Sequence, residues 1–391
     1  MRNTFIILTF LCLQITLTNA QPDFKRFHTE TGGIVLAHSP KISNIFLGSP
    51  SICILPNGNY VASHDIFGVS VAKKLEPMTK IHISKNKGKT WKHIANLNHQ
   101  YWSNLFVLNR KLYIIGTTKS EGNISIRKSD DGGLTWTEPT DTNNGLLAID
   151  EPFHCGPVPV VVHNGRIWRA MEDCSRANHV WGKMFRTFML SAPINADLLK
   201  SSNWTFSTRL PYDSTYLNGK FGGWLEGNAV VSPDGKIVNV LRVDYREKDG
   251  EKAALVHISD DGKTASFNPE KDFINLPGGC KKFTIRYDKT SKKYWMLSNY
   301  VPDEFKGGNA ERTRNTQALS WSSDLRNWNI HRIVLQHKDV AYHGFQYLDW
   351  QFDGNDIIAL SRTAYDDGMG GADNQHNANM ITFHRIKDFR K

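Results

Sequence analysis

The stretch that decides the fold reads SDDGGLTW at residues 129–136. An earlier stretch, SKNKGKTW at residues 84–91, follows the same pattern of Ser-x-Asp/Asn-x-Gly-x-Thr-Trp. Asp or Asn followed by Gly favours a tight turn, because these residues bond to their own backbone and tolerate left-handed conformations. The closing Trp supplies a large apolar surface that can pack beneath the turn. Looser copies occur at residues 259–267 and 323–328, so the recurrence indicates a fold built from repeated hairpins.

A second repeated pattern occupies the segments between these turns. Short alternating apolar runs are separated by Gly, Asn and Asp turns, which is typical of β-hairpins. Six such hairpins recur at intervals of roughly 50 to 70 residues, close to the period of propeller blades. Their turns lie at residues 56–59, 109–111, 163–165, 233–235, 290–291 and 353–355. The pattern predicts an all-β propeller with six blades, or seven if residues 32–46 do more than close the last blade.

Both full copies of the turn pattern resemble the Asp box of sialidase-like propellers. The resemblance implies that these turns lie on the outer rim, between the two outer strands of a blade. An outer-rim feature indicates the fold and carries no information about the substrate.

The first twenty residues read as a secretory signal peptide, with Arg2 near the start, an apolar run at 5–13 and a small-residue site at 18–20. We therefore expect an exported protein, periplasmic or secreted, whose residues 21–391 form one propeller domain. No later stretch approaches 18 apolar residues, so no membrane span is predicted. We expect the cysteines at positions 53, 155, 174 and 280 to be structural, with Cys155 and Cys174 free to pair after export.

The formal net charge of +10 bears on the partner. An excess of Lys and Arg on an exported protein favours a polyanion, and acidic polysaccharide is a better expectation there than nucleic acid. The alternative is a basic surface that only aids solubility. We expect a monomer that binds an acidic oligosaccharide, with no nucleic-acid or membrane partner.

Polar residues on the first strand of each hairpin are the site candidates, because that strand of a propeller blade faces the central channel. The candidates for proton transfer are His64, His154, Tyr245 and His343. The candidates for substrate binding are Trp224, Glu226, Arg242, Arg286, Gln346, Tyr347 and Arg362. Taken singly, the histidines could cap turns or strands, and the aromatic residues could belong to the core.

Arg242 and Arg362 make the stronger case, because an inward Arg in an apolar hairpin needs an anionic partner, from a ligand or from an internal carboxylate. The Gly-rich loop at 366–376 could bind a cation through oxygen and imidazole groups, but its spacing matches no metal motif. No cofactor is predicted, and a metal requirement stays open.

The resemblance to sialidases implies three arginines for the substrate carboxylate, a Tyr–Glu nucleophile pair and an Asp acid. The first of those arginines sits in an Arg-Ile-Pro motif ahead of the first Asp box. The equivalent region here reads GSPSI at 48–52, and no Arg lies between Arg26 and Arg110. The sequence therefore predicts an incomplete arginine set and no transfer of sialidase activity.

The mature chain also resembles propeller enzymes from bacterial clusters that degrade ulvan, a sulfated rhamnose–uronic acid polymer. The stretches that carry the resemblance are SHDIFG at 63–68, PGG at 277–279 with KF at 282–283, and TFHR at 382–385. That group includes lyases, rhamnose-releasing propellers and an oligosaccharide dehydratase. The resemblance implies that His64 is the catalytic His of the rhamnose-releasing relatives.

We predict an exported dehydratase or lyase that acts by β-elimination on uronic acid residues of acidic, sulfated oligosaccharides. Elimination needs a cation on the carboxylate, a base for the adjacent proton and an acid for the leaving oxygen. A glycoside hydrolase of α-L-rhamnosidase or exo-sialidase type is the alternative, which Glu172, Glu226 and Asp349 keep open. A non-catalytic glycan-binding propeller is a third interpretation.

Overall fold

The computed structural model describes residues 30–68, 76–175, 179–248 and 250–391. Within these residues the chain forms twenty-five β-strands, numbered in chain order, and five short 3-10 helices. The helices span Lys41–Ser43, Ser201–Asn203, Tyr216–Gly219, Asp303–Phe305 and Ala310–Arg312. The predicted signal peptide lies outside the described residues.

Three sheets repeat one antiparallel meander, in which each strand pairs with its neighbour in sequence. The first contains β2 (Phe46–Ile54), β3 (Tyr60–Phe67), β4 (Met78–Ser84) and β5 (Lys92–Asn98). The second contains β14 (Trp224–Val231), β15 (Ile237–Val243), β16 (Lys252–Ile258) and β17 (Ala265–Ser266), with β18 (Phe273–Asn275) also paired to β16. The third contains β19 (Thr284–Asp288), β20 (Lys293–Asn299), β21 (Thr316–Ser322) and β22 (Asn329–Gln336).

A fourth sheet is continuous over eight strands. These are β6 (Tyr101–Leu108), β7 (Lys111–Thr117), β8 (Gly122–Ser129), β9 (Leu146–His154), β10 (Val161–His163), β11 (Arg166–Cys174), β12 (Phe185–Pro193) and β13 (Thr205–Phe206). Strand β9 joins its two halves, because the start of β9 pairs with β8 and its end pairs with β11.

The fifth sheet joins the two ends of the chain. Strands β23 (Gly344–Asp353), β24 (Asp356–Ala364) and β25 (Met380–Ile386) are completed by β1 (Ile34–His38), with Ile34 opposite Phe383. Strand β1 thus closes the last sheet, one of the two roles considered for residues 32–46. The strands of successive sheets form a β-propeller, which confirms the all-β propeller class.

Apolar clusters fill the spaces between successive meanders. One cluster packs Leu47 and Ile52 of the first sheet against Ile358 and Phe383 of the last. Equivalent clusters occur at the other junctions, including the one between the two halves of the eight-stranded sheet. Burial of these side chains is the main favourable contribution to folding, at about 1.5–3 kcal/mol for each large residue.

The Asp-box turns have the geometry that their sequence predicts. The Asp131 carboxylate accepts from the Thr135 amide at 3.0 Å and the Ser129 hydroxyl at 2.8 Å, and Trp136 donates to the Gly133 carbonyl at 2.9 Å. The copy at 84–91 makes the same bonds, with Asn86 in the place of Asp131. Both turns begin at the end of a third strand, β4 or β8, as expected for the outer part of a blade.

The four cysteines of the described chain are buried and free. Cys155 and Cys174 therefore do not form the disulfide that export would permit. Among the described residues, no helix has the length and apolar character that crossing a membrane requires.

Candidate functional site

Four first strands, β2, β6, β14 and β23, carry a register shift near their N-terminal ends. Three of these bulges contain a non-glycine residue with positive φ: Ser49 at 47°, Trp102 at 48° and Tyr347 at 56°. Such backbone costs about 1–3 kcal/mol per residue and is found where function requires it. Because bulges redirect the side chains that they carry, this end of the inner strands is the candidate site.

A buried network at Asp349 shows that the first strands line the axis of the ring. The Asp349 carboxylate accepts from the Ser51 hydroxyl at 2.7 Å, the Ile52 amide at 3.0 Å and Arg286 Nη2 at 3.1 Å. Asn104 of β6 bonds to the same Ser51 hydroxyl at 3.0 Å. Arg286, predicted to bind substrate, is thus paired with an internal carboxylate.

Glu226, Arg242 and Tyr347 meet at the bulged end. Arg242 Nη1 lies 2.6 Å from Glu226 Oε2 and 3.4 Å from the Tyr347 hydroxyl, and Tyr347 also bonds to Glu226. Burial alone would raise the pKa of Glu226, but Arg242 and the Tyr347 bond hold it below its usual value. The ionised Glu226 carboxylate can therefore accept a proton from the half-buried Tyr347 phenol.

Two further guanidinium groups flank the Tyr347 ring. The Cζ atoms of Arg314 and Arg362 lie 5.8 Å and 5.2 Å from its centroid, and Arg362 also stacks 4.5 Å from the Phe67 ring. Together with Arg242, three arginines surround one tyrosine. They come from β15, from the residues just before β21 and from β24.

The arginine group has more positive charge than its surroundings neutralise. Glu311 lies 3.7 Å from Arg242 and 3.9 Å from Arg314, whereas Arg362 has no ion pair within the described residues. Arg362 donates to the His376 carbonyl and lies 3.2 Å from the His376 ring, and its Nε has no partner among the described residues. Burial lowers the pKa of Arg362 to about 10. A buried cation with an unused donor favours an anionic ligand.

Arg362 also fills the place beside Gly48. A Cβ atom on Gly48 would lie 3.7 Å from Arg362 Nη1 and 3.0 Å from the Phe67 ring. Gly48 begins the region in which the sialidase pattern carries its first arginine, so Arg362 reaches that region from another strand. The early position carries no arginine, as expected, and the structure groups Arg242 and Arg362 with a third arginine, Arg314, around Tyr347.

Asp65 is the buried acid of the site. Its carboxylate accepts from the Thr79 hydroxyl and the Trp102 amide, both at 2.6 Å. Burial raises its pKa to about 7, and these bonds and the charge of Arg362 oppose the rise only in part. A carboxyl group that is half protonated at neutral pH suits general acid catalysis.

Gln346 orients Arg314. Its side-chain oxygen accepts from Arg314 Nη1 at 2.6 Å, and its amide donates to the Gln375 carbonyl. Both polar atoms of this fully buried side chain are satisfied within the protein. Gln346, predicted to bind substrate, thus bonds to the neighbouring Arg314 in the structure.

His154 lies in an aromatic group next to the site. Its Nδ1 is 3.2 Å from Glu172 Oε2, and its ring packs 4.6 Å from Trp102, 4.4 Å from Phe185 and 5.1 Å from Trp181. Trp102 donates its amide to Asp65, so this group borders the acid. A direct catalytic role for His154 stays a prediction.

His64 lies in a stack of histidines. Its ring packs 5.2 Å from His82, which packs 5.3 Å from the exposed His93. Side chains alternate along a strand, so His64 and Asp65 point to opposite faces of β3. Burial lowers the pKa of His64 to about 4, which keeps it neutral. The structure brings Asp65, and not His64, to the arginine group.

The other candidates lie in different surroundings. His343 pairs with Asp339 at 2.8 Å and stacks 3.6 Å from His337, while Tyr245 and Trp224 belong to an apolar cluster. In the loop at 366–376, the Asp367 carboxylate pairs with His38 at 2.9 Å and accepts hydrogen bonds from two backbone amides. These bonds occupy the Asp367 carboxylate within the protein.

Sequence reasoning missed Arg314 and the role of Asp65. Arg314 precedes a third strand, outside the hairpins on which the predicted candidates lie. Asp65 directly follows His64, and strand alternation allows only one of the two to face the channel. A buried Arg is uncommon, so the burial of Arg314 directly before β21 would have indicated a functional residue. That burial could not be predicted without the register of the strand.

Comparison with known proteins shows the fold. No protein-family profile and no curated protein sequence matches the chain. Among solved structures, a Hadza microbial sialidase superposes with a TM-score of 0.60 at 12% identity, covering 91% of this chain and 68% of its own. A Dyadobacter fermentans protein of unknown function gives 0.57 at 13% identity over 90% and 97%. A Penicillium chrysogenum α-L-arabinanase complexed with arabinobiose gives 0.54 at 15% identity over 92% and 98%.

Proposed function

We propose that the chain is an exo-acting glycoside hydrolase that removes a terminal sugar bearing a carboxylate beside its anomeric carbon. The observation that carries this proposal is the group of three arginines around Tyr347, of which Arg362 has an unused donor and no ion pair within the described residues. Such a group is built for a carboxylate that lies next to the attacking oxygen. The fold shared with a sialidase and an arabinanase supports action on a carbohydrate.

A tyrosine suits this substrate better than a carboxylate nucleophile does. A carboxylate would be repelled by the anionic group on the reacting carbon, whereas a phenol is neutral until its proton leaves. The Tyr347 oxygen would attack the anomeric carbon as Glu226 accepts its proton. The bond to the leaving oxygen breaks at the same time, and Asp65 supplies the proton that this oxygen needs. Water then reverses the steps and releases the free sugar.

The acidic substrate expected from the net charge fits this site. A terminal 2-ulosonic acid, of which sialic acid is the familiar example, carries its carboxylate at the position that the arginines surround. A terminal uronic acid carries its carboxylate three bonds from the anomeric carbon, counted through the ring oxygen, and so farther from an attacking tyrosine. We therefore place ulosonic acids ahead of uronic acids as substrates.

A panel of fluorogenic 4-methylumbelliferyl glycosides tests the proposal. We expect release of fluorophore from N-acetylneuraminic acid or KDN glycosides, and none from arabinofuranosides. The Tyr347→Phe variant should lose about 10²–10⁴-fold in kcat. Tyr342→Phe is the matched control, because Tyr342 is 54% exposed and should retain full activity. Release from neutral glycosides alone would contradict the proposal.

Elimination at a uronic acid is the second candidate. The same arginines could neutralise its carboxylate, and the buried His154–Glu172 pair beside the acid offers a proton acceptor. Ulvan oligosaccharides would then give an ultraviolet-absorbing unsaturated product, with loss of water for a dehydratase or chain cleavage for a lyase. Loss of this activity in His64→Asn would support a catalytic role for His64, the role that the sequence resemblance implies. Fluorophore release without an unsaturated product excludes this candidate.

We also infer that the ring has six blades and that the protein is an exported monomer. Six consecutive first hairpins and an apolar cluster at each of six junctions support the blade number, if the eight-stranded sheet is divided at β9. Export rests on residues 1–20 alone. Native mass spectrometry of the secreted protein, with N-terminal sequencing, tests both the cleavage and the monomer.

A further inference from the structure

Two consecutive lysines, Lys281 and Lys282, are almost completely buried, with 0% and 1% exposure. Lysine is rarely buried without a carboxylate partner. Lys281 has one, because its amine bonds to Glu251. Lys282 has none at ion-pair distance within the described residues, and the steps proposed above do not use it.

Within the part of the chain that the structure describes, the Lys282 amine bonds to two uncharged groups. It donates to the Leu348 carbonyl at 2.7 Å and to the Thr284 hydroxyl at 2.6 Å. The Thr284 hydroxyl in turn donates to the same Leu348 carbonyl at 2.6 Å. Two donors therefore converge on one carbonyl, which belongs to the residue directly after Tyr347.

This carbonyl lies in the bulge that presents the proposed nucleophile. The register of β23 shifts between Gln346 and Asp349, and Tyr347 within that shift has a φ of 56°. A tyrosine held at positive φ is strained, so its conformation depends on contacts around it. The Lys282 bond fixes the peptide between Leu348 and Asp349, one residue beyond Tyr347 in the same bulge.

The neighbouring residues anchor other parts of the site. The Cys280 carbonyl accepts from Arg242 Nε at 3.0 Å. Lys281 donates to the Ala310 carbonyl at 2.7 Å, at the start of the short helix that carries Glu311. The three successive residues 280–282 thus bond, in that order, to Arg242, to the helix that carries Glu311 and to the Tyr347 bulge.

We propose that Lys282 is a positioning residue that holds the Tyr347 bulge in its reactive conformation through the Leu348 carbonyl. This proposal rests on the function proposed above, because it assigns Lys282 to the support of that nucleophile. Burial without a carboxylate also lowers the pKa of Lys282 to about 7, which shows that its site favours the neutral amine. A neutral amine still donates hydrogen bonds, so the support does not depend on its charge.

The test compares Lys282→Met, which removes the donor, with Lys282→Gln, which keeps a neutral donor. We expect Met to lower kcat about 10- to 100-fold with KM changed less than about threefold, and Gln to recover much of that loss. Lys289→Met, an exposed lysine of the same sheet, should behave as wild type. Equal losses in the Met and Gln variants, or a change confined to KM, would overturn the proposal.

A second readout does not require catalysis. In protein labelled with [13Cζ]tyrosine, the Tyr347 resonance is assigned from its absence in Tyr347→Phe. We expect Lys282→Met to shift or broaden this resonance while that of Tyr60, which bonds to Asp353 in another part of the fold, stays unchanged. An unchanged Tyr347 resonance overturns the positioning role. A shifted resonance in a protein that hydrolyses no acidic glycoside would leave that role standing and reject the proposed function.

Discussion

At the scale of single residues, the proposed binding role of Arg362 predicts a cost in stability. Its guanidinium is buried without an ion pair in the described chain, and burial lowers its pKa, so the cation is less stable there than in water. We expect Arg362→Met to raise the free energy of unfolding by about 1 kcal/mol or more. The same variant should lower kcat/KM about 10- to 100-fold, because a charge-assisted bond to the substrate is lost.

Arg385 of the same sheet is the control for this prediction. It pairs with Asp353 at 2.9 Å and Asp356 at 3.0 Å, so Arg385→Met should lower stability and leave kcat/KM unchanged. Thermal denaturation and steady-state kinetics measure both effects. A loss of stability in Arg362→Met as large as that in Arg385→Met would show that Arg362 serves the fold.

Asp65 sets the expected pH dependence. An acid must be protonated to act, and the pKa of Asp65 is raised to about 7, so kcat/KM should fall as the pH rises through about 7. The low pKa of Glu226 keeps the base ionised well below that point. A pH profile of kcat/KM on an acidic glycoside measures the alkaline limb.

Replacing Asp65 by Asn separates its role as acid from one in binding. Substrates with a natural sugar leaving group need the proton, whereas aryl glycosides with a good leaving group need it much less. We expect Asp65→Asn to lose about 10²–10⁴-fold on the former and far less on the latter. Equal losses on both substrates would argue against the acid role.

The identity of several site residues could be predicted from the sequence, but their partners could not. Glu226 and Tyr347 could be predicted from their place on first strands, and Arg242 from its place in the apolar strand that follows. Arg286 bonds to Asp349, and Gln346 bonds to Arg314. These contacts join strands that are distant in sequence, and neither composition nor the alternation of side chains predicts them.

At the scale of elements, the Asp-box turn allows a comparison of two adjacent aspartates. Asp131 accepts several turn hydrogen bonds, whereas Asp130 is exposed and pairs only with surface lysines. We expect Asp131→Ala to lower the free energy of unfolding by about 1–2 kcal/mol and Asp130→Ala to change it by less than about 0.5 kcal/mol. Denaturant unfolding of both variants measures the difference.

The same turn has a predictable pH response. The pKa of Asp131 is lowered to about 2 in the folded protein, so its contribution is complete above the ordinary carboxyl pKa and is lost as the pH falls toward 2. The stability difference between wild type and Asp131→Ala should therefore shrink over that range. A difference that is constant from neutral to strongly acidic pH would contradict this interpretation.

Turns of this kind were predictable because their bonds are local. Ser129, Asp131 and Trp136 bond within one eight-residue stretch, and the hairpin turns likewise depend on neighbouring Gly, Asn and Asp. The bulges at Ser49, Trp102 and Tyr347 were not predictable, since the residue with positive φ in each is not a glycine. Their strain is supported by long-range contacts such as those of Asp65 and Lys282.

At the scale of the whole molecule, strand β1 closes the ring. Its apolar residues Ile34 and Leu36 join the cluster between the first and last sheets, and its backbone covers the edge of β25. A chain that begins after His38 should lose about 3–6 kcal/mol of unfolding free energy relative to one that begins at residue 30. Denaturant unfolding measures this, and equal stability would show that closure does not depend on β1.

Ring closure also explains why the function was harder to predict than the fold. Asp65, Glu226 and Tyr347 are separated by more than a hundred residues in sequence, and they come together only because the inner strands of different sheets meet around the axis. The grouping of Arg242, Arg314 and Arg362 around one tyrosine is likewise visible only in three dimensions.

The most direct test of the proposed nucleophile is to trap its covalent intermediate. A 2,3-difluoro-2-ulosonic acid loses its anomeric fluoride to the attacking oxygen, and the second fluorine slows the hydrolysis that follows. We predict that intact-mass and peptide mass spectrometry will show one glycosyl residue bound to the Tyr347 hydroxyl, and none in Tyr347→Phe. Labelling of a different residue, or full turnover of acidic glycosides by Tyr347→Phe, would contradict the assignment of Tyr347 as nucleophile.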